Sequence, residues 1–139
     1  MVKYIPSNYK YKKIHRKVYI NKLVQFRSNY LKKNSCGLKI VTNGILTSTM
    51  IEEARNFIMK RIKKVGTLRV NIFSHFPITK KSNGIRMGKG VGDIDQWVSP
   101  VRSGLILFEL TNIPFNTAKK ILTSVSYKLP VKTKFIYLK

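Results

Sequence analysis

The chain has 139 residues, and 28 lysines and arginines against 5 aspartates and glutamates give it a formal net charge of +23. Self-repulsion on that scale disfavours a compact free state and points to a polyanionic partner. The longest uncharged run, Ile40–Ile51, is far short of the ~20 residues a membrane span needs, and a single cysteine, Cys36, excludes an internal disulfide and a cysteine-built metal site.

The charge is unevenly spread. All five acids (Glu52, Glu53, Asp93, Asp95, Glu109) fall between positions 52 and 109. Positions 1–51 carry 11 basic residues and no acid, and positions 110–139 carry 6 basic residues and no acid. The ends are therefore purely cationic. A hydrophobic share of 43% is still that of a domain able to bury a core.

Residues 1–36 read as a basic arm. Tyr4, Tyr9, Tyr11, Tyr19, Phe26 and Tyr30 are interleaved with Lys10, Lys12, Lys13, Arg16, Lys17, Lys22 and Arg27. Such cations neutralise phosphates while the rings stack on exposed bases. No secretory pattern is expected, because Met1–Asn29 offers no unbroken apolar stretch.

Residues 37–139 read as a single α+β domain. Gly37–Thr42 suits a strand, and Asn43-Gly44 is a turn signal. A helix is predicted over about 49–65, with Ile51, Ala54, Ile58, Ile62 and Val65 on one stripe. Thr49 and Glu52 form a capping-box pair at its start, and Gly66 is placed to stop it. Thr67–Phe73 alternates as a half-buried strand. A long loop is predicted over about 75–95. Strands near 96–101 and 105–110 read as a hairpin joined through Pro100–Gly104. A second helix starts around Pro114, carries Ala118, Ile121, Leu122, Val125 and Leu129 as its apolar stripe, and ends at Pro130. Val131–Leu138 is a last strand. The expected fold is a two-layer sandwich: a mostly antiparallel sheet of about five strands with two helices on one side.

The most informative stretch is Gly84–Gly92, with four glycines in nine residues and Arg86 and Lys89 among them. Glycines let a backbone approach another molecule and present N–H groups to phosphate oxygens. The spacing matches neither a P-loop nor a dinucleotide fingerprint. It reads instead as a basic finger placed against RNA.

Catalysis finds little support. His15 and His75 lie 60 positions apart, and neither has a carboxylate nearby in sequence. Asp93 and Asp95 read as local charge balance beside a cationic loop, Cys36 as a small packing residue, and Trp97 as a core or RNA-stacking ring. A DNA-compacting protein lacks any helix-turn-helix or zinc spacing here, and an RNA-modifying enzyme lacks a paired acid–base set.

These residues resemble a known family. Arg86-Met-Gly-Lys-Gly-Val-Gly-Asp-Ile-Asp-Gln-Trp97 is similar to the glycine-rich signature of the large-subunit ribosomal protein L-sixteen family of bacteria and organelles. Gly44–Arg55, Pro77–Lys81, Lys128–Thr133 and, in the arm, Lys10–Arg16 resemble further segments of that family, in order along about residues 10–136. The sequence departs at Val91, where the family has a second loop lysine, at Ile45, where it has arginine, at Met50, where it has the helix-capping glutamine, and at Lys17, where it has glycine.

The resemblance implies a structural constituent of the ribosome that binds large-subunit rRNA near the central protuberance and helps shape the aminoacyl-tRNA site. Its partners would be that rRNA, tRNA at the aminoacyl site and neighbouring large-subunit proteins, with no membrane, no small-molecule substrate, no cofactor or metal and no enzymatic activity. The implied contact residues are Lys10, Tyr11, Lys12, Lys13, His15, Arg16 and Lys17 of the arm, then Arg55, Lys81, Arg86, Met87, Gly88, Lys89, Gly90, Gly92 and Lys132. The lean on Lys (21), Ile (16) and Asn (10) against 7 Arg is what an AT-rich gene produces. It favours a mitochondrially encoded member, with a plastid or bacterial cytoplasm as the alternatives.

Overall fold

The structure, a computed structural model, describes residues 5–7, 10, 12–14, 28–62 and 65–138. In chain order its elements are β1 (Ser35–Ile40), β2 (Gly44–Thr47), α1 (Ser48–Ile62), β3 (Thr67–Val70), β4 (Phe76–Lys80), β5 (Asp93–Val101), β6 (Ile106–Thr111), α2 (Phe115–Ser126) and β7 (Thr133–Leu138).

One sheet has the order β3-β6-β1-β7, with every neighbouring pair antiparallel and the two central strands, β6 and β1, buried along nearly their whole length. Its register stacks like with like. Cys36 lies between Leu110 and Tyr137, and Leu38 between Phe108 and Phe135. That places an apolar row across one face. Ile51, Ala54, Ile58 and Ile62 of α1 and Ala118, Ile121, Leu122 and Val125 of α2 join this row in one core. Each fully buried isoleucine of the α1 stripe stabilises the fold by roughly 1.5–3 kcal/mol. The second sheet, of order β2-β5-β4, is also antiparallel.

The helix ends are set locally. The Met50 N–H donates to Thr47 Oγ1 at 3.3 Å, so Thr47 caps α1 in place of the expected Thr49–Glu52 pair. The shift by two residues follows from β2, which runs directly into the helix. Lys60 and Arg61 occupy the last turn, where cations suit the helix dipole. Pro114 is the N-cap of α2, one position earlier than the first helical residue, and makes no side-chain cap bond. The helix closes at Ser126, before Pro130, through Lys128 N–H to Val125 O at 2.9 Å and Leu129 N–H to Ser126 O at 3.3 Å.

The α+β class is as the sequence indicates, but the strands number seven among the described residues and divide between two sheets. The segments near 96–101 and 105–110 are not a hairpin. Val101 pairs with Gly44 in the smaller sheet, while Ile106 enters the larger one beside Lys39. The turn between them hands the chain from sheet to sheet, with Gly104 N–H bonding Ile40 O at 2.9 Å. Likewise Asn43-Gly44 turns the chain between sheets rather than closing a hairpin, and Asn43 Oδ1 accepts the Ser103 N–H at 2.6 Å. The expected loop at 75–95 contains β4 and the start of β5. No helix among the described residues is long and apolar enough to cross a membrane.

Candidate nucleic-acid interface

β4 and β5 pair antiparallel as far as Lys80 opposite Asp93, which leaves residues 81–92 as the connection between them. Its first turn closes with Ile85 N–H on Ser82 O at 3.3 Å, and Gly84 takes the positive φ (+88°) that the third turn position requires. Gly88, Lys89 and Gly90 follow at φ +96°, +55° and +84°. Three successive left-handed residues turn the chain sharply and keep it off the protein. A Cβ at Gly88 or Gly90 would meet nothing within 4 Å, so these glycines answer to conformation and not to crowding.

The neck of the loop is the opposite case. A Cβ at Gly92 would lie 2.5 Å from Lys80 O and 2.8 Å from Lys81 N. The half-buried Lys81 reaches along the loop and donates from Nζ to the Gly88 carbonyl. Beyond the neck, Arg86, Met87 (98% exposed), Lys89 and Val91 all stand in solvent. Two cations and two apolar side chains on a glycine frame can meet phosphates and base or sugar faces together.

The arm comes to this loop. Lys13 Nζ lies 3.2 Å from Asp93 Oδ1 and 3.5 Å from the Val91 carbonyl oxygen. Asp93 is thus paired with a cation of the arm, 80 positions away in sequence, and not with one of the adjacent loop. Lys10 and Lys12 are exposed beside it in sequence. Tyr11, His15, Arg16 and Lys17 lie outside the described residues.

The root of the arm is fixed differently. Ser28 O accepts the Ile106 N–H at 3.0 Å, and the Lys32 N–H donates to Glu109 Oε1 at 2.8 Å. The Ser35 hydroxyl lies 3.1 Å from the same oxygen and 2.5 Å from Lys32 O, and Arg69 Nη1 stands 4.0 Å from Glu109 Oε2. Gly37 lets Leu31 close on the sheet, since a Cβ there would be 2.6 Å from Leu31 Cδ2. Glu109 is only 3% exposed. It holds residues 28–35 across the sheet face opposite the helices. In the sequence it is one of five acids. The available signal was an acid standing inside the apolar run Leu105–Leu110.

Residues 6–136 match the family model described as ribosomal protein L16p/L10e. The chain belongs to that family. It is 41% identical over 110 residues to the large ribosomal subunit protein uL16 of Leptospira biflexa, covering 79% of this chain and 80% of the relative. It is 40% identical over 136 residues to the large ribosomal subunit protein uL16c of the Helicosporidium species, covering 98% of each. The Staphylococcus epidermidis uL16 protein is 36% identical over 132 residues, covering 95% of this chain and 90% of the relative.

Within this L16p/L10e member the remaining candidates sit on other elements. Arg55 is half-buried on α1 and donates from Nη1 to Asn56 Oδ1 at 3.3 Å. Lys132 is exposed just before β7, its backbone held by Thr42 Oγ1 at 3.0 Å and by the Val41 N–H at 2.8 Å. The structure therefore joins Lys13, Lys81 and the glycine loop, and leaves Arg55 and Lys132 apart on α1 and in the turn before β7. Trp97 lies mid-strand in β5 opposite Pro77. His75 keeps its ring 4.5 Å from that of Phe76, with Nδ1 3.1 Å from Phe73 O. Cys36 is buried in the core, and that burial pushes its thiol pKa up, as suits a packing residue.

Proposed function

We propose that this L16p/L10e chain is a structural constituent of the large ribosomal subunit that binds its rRNA and helps shape the aminoacyl-tRNA site near the central protuberance. One observation carries the reading: an exposed loop of left-handed residues presents Arg86 and Lys89 on a frame that Gly92, Lys81 and Lys13 fix at its neck. The names of the bacterial and Helicosporidium relatives support the assignment to the large subunit.

The chemistry is positioning. Arg86 and Lys89 neutralise phosphates, and the open backbone between them lets RNA approach closely. Met87 and Val91 add apolar contact to bases or sugars. The arm, residues 1–36, adds further cations: Lys13 meets the loop, and Lys10, Tyr11, Lys12, His15, Arg16 and Lys17, near Lys13 in sequence, contribute rRNA contacts of their own. Arg55 and Lys132 serve separate rRNA contacts on the α1 and β7 sides of residues 37–139. Val91 replaces one lysine of the family loop, so this chain makes one phosphate contact fewer there. The Lys, Ile and Asn bias favours an organelle-encoded, mitochondrial member. Locating the gene in an organelle genome or a bacterial chromosome decides that point.

Sedimentation tests the reading. The tagged protein is expected in large subunits after a high-salt wash. Its presence only in lighter nucleoprotein fractions would support a nucleic-acid-binding role outside the ribosome instead.

A further inference from the structure

Phe57 lies on α1, one helical turn before Arg61, and packs half-buried against the core. Arg61 Cζ stands 3.8 Å from the centroid of its ring, and Lys128 Nζ, from the turn after α2, stands 4.8 Å from the same centroid. Two cations from different elements share one aromatic ring. The ion pairs among the described residues are Lys13–Asp93 and Arg69–Glu109, so neither of these two cations has a carboxylate partner there. The ring attracts each cation, but the cations repel one another. An anion held between them removes that repulsion.

The neighbourhood fits one class of anion. Tyr127, immediately before Lys128, is 84% exposed. With Pro130 and Lys132 it borders a shallow hollow of about 510 Å³. A bare ring that shares a hollow with Lys132 and adjoins Lys128 in sequence is a combination that holds a nucleic-acid strand, phosphates on the cations and a base on the ring. An acidic peptide would use the cations but would leave Tyr127 without a stacking partner.

We infer that Arg61 and Lys128, braced on Phe57, form a phosphate clamp for rRNA, and that Tyr127 stacks on an unpaired base of the same strand. The clamp lies where the C-terminal ends of the two helices meet, whereas the glycine loop belongs to the smaller sheet. It is a second rRNA site, and it rests on the rRNA-binding reading above.

The test is binding of the purified full chain to a large-subunit rRNA transcript across a salt series. Arg61→Gln with Lys128→Gln removes two phosphate contacts. The slope of log affinity against log salt should then fall in magnitude by about 1.4–1.8. Phe57→Leu, which changes no charge, should weaken binding about two- to fivefold at fixed salt. Tyr127→Ala should weaken it about fivefold or more. An unchanged slope in the charge variant overturns the clamp, and because that variant touches exposed side chains it decides the matter even if Phe57→Leu fails to fold. Photocrosslinking of 4-thiouridine-labelled rRNA in assembled subunits should mark Tyr127. Adducts elsewhere on the chain with none on Tyr127 would also overturn the clamp. If the wild-type chain binds no rRNA at all, the underlying reading fails; if it binds and the variants match it, only the clamp fails.

Discussion

The glycine loop and the root of the arm are both RNA-facing candidates, yet they are held in opposite ways. The loop is fixed at its neck and free at its tip: Gly92 has backbone atoms within 2.8 Å of where a Cβ would stand, and Gly88 has none within 4 Å. The arm root is fixed along its length by a buried carboxylate that accepts from Lys32 and Ser35. The contrast shows a division of labour in a chain of net charge +23. An acid is placed inside, where it orders the cationic segment, and is kept away from the loop tip, where it would repel phosphate.

The largest expected effect belongs to the arm root. Glu109→Ala leaves the Lys32 N–H without its acceptor and opens a hole in the buried site, while the Ser35 hydroxyl keeps the Lys32 carbonyl. It should cost about 2–4 kcal/mol in urea unfolding. The same variant should speed alkylation of the buried Cys36, which adjoins the root. A loss below about 0.5 kcal/mol, the range of an ordinary surface substitution, would show that the root is held by packing alone.

Next comes the neck of the loop. Gly92→Ala drives a methyl into the Lys80 carbonyl, and such overpacking costs about 1–3 kcal/mol. Gly88→Ala meets open space, so its strain, roughly 1–2 kcal/mol, can relax within the loop. The first should lower the unfolding midpoint, and the second should mainly weaken rRNA binding. Equal stability losses would mean that tip and neck are not mechanically distinct.

Charge at the tip should act on function without touching stability. Arg86→Ala with Lys89→Ala should impair subunit assembly or tRNA-site function more than Lys119→Ala with Lys120→Ala on the outer face of α2. Equal defects in a polysome profile would remove the special status of the loop. The smallest effect is expected for Asp93→Asn. Its side chain is 99% exposed, so losing the Lys13 pair should leave the melting temperature unchanged. A crosslink between Lys13 and the loop should nevertheless become rarer.

Periodicity in the sequence reveals much of this architecture. The stripe Ile51-Ala54-Ile58-Ile62 and the alternation in β3 are local consequences of burying one face, so they can be read from residue spacing, while β1 and β6, buried along nearly their whole length, show as short apolar runs. The smaller sheet cannot be read that way. β4 carries Pro77, and β5 runs through Asp93, Asp95 and Pro100, so neither shows the alternation of a half-buried strand. Which sheet a strand joins is a long-range choice, and the proximity of 96–101 to 105–110 in sequence suggests a hairpin that the fold does not make. The loop glycines were evident from composition, because only glycine takes such turns cheaply. The Lys13–Asp93 contact and the sharing of Phe57 by Arg61 and Lys128 join residues about 70 to 80 positions apart, and no spacing rule reports them.

The central claim is that the loop delivers the chain's charge to rRNA in the large subunit. RNA–protein crosslinking in salt-washed large subunits, mapped by mass spectrometry to single residues, tests it most directly. The account predicts rRNA adducts on the segment Arg86–Gly92. Recovery of the protein in those subunits with that segment free of adducts, or its absence from them, would contradict it.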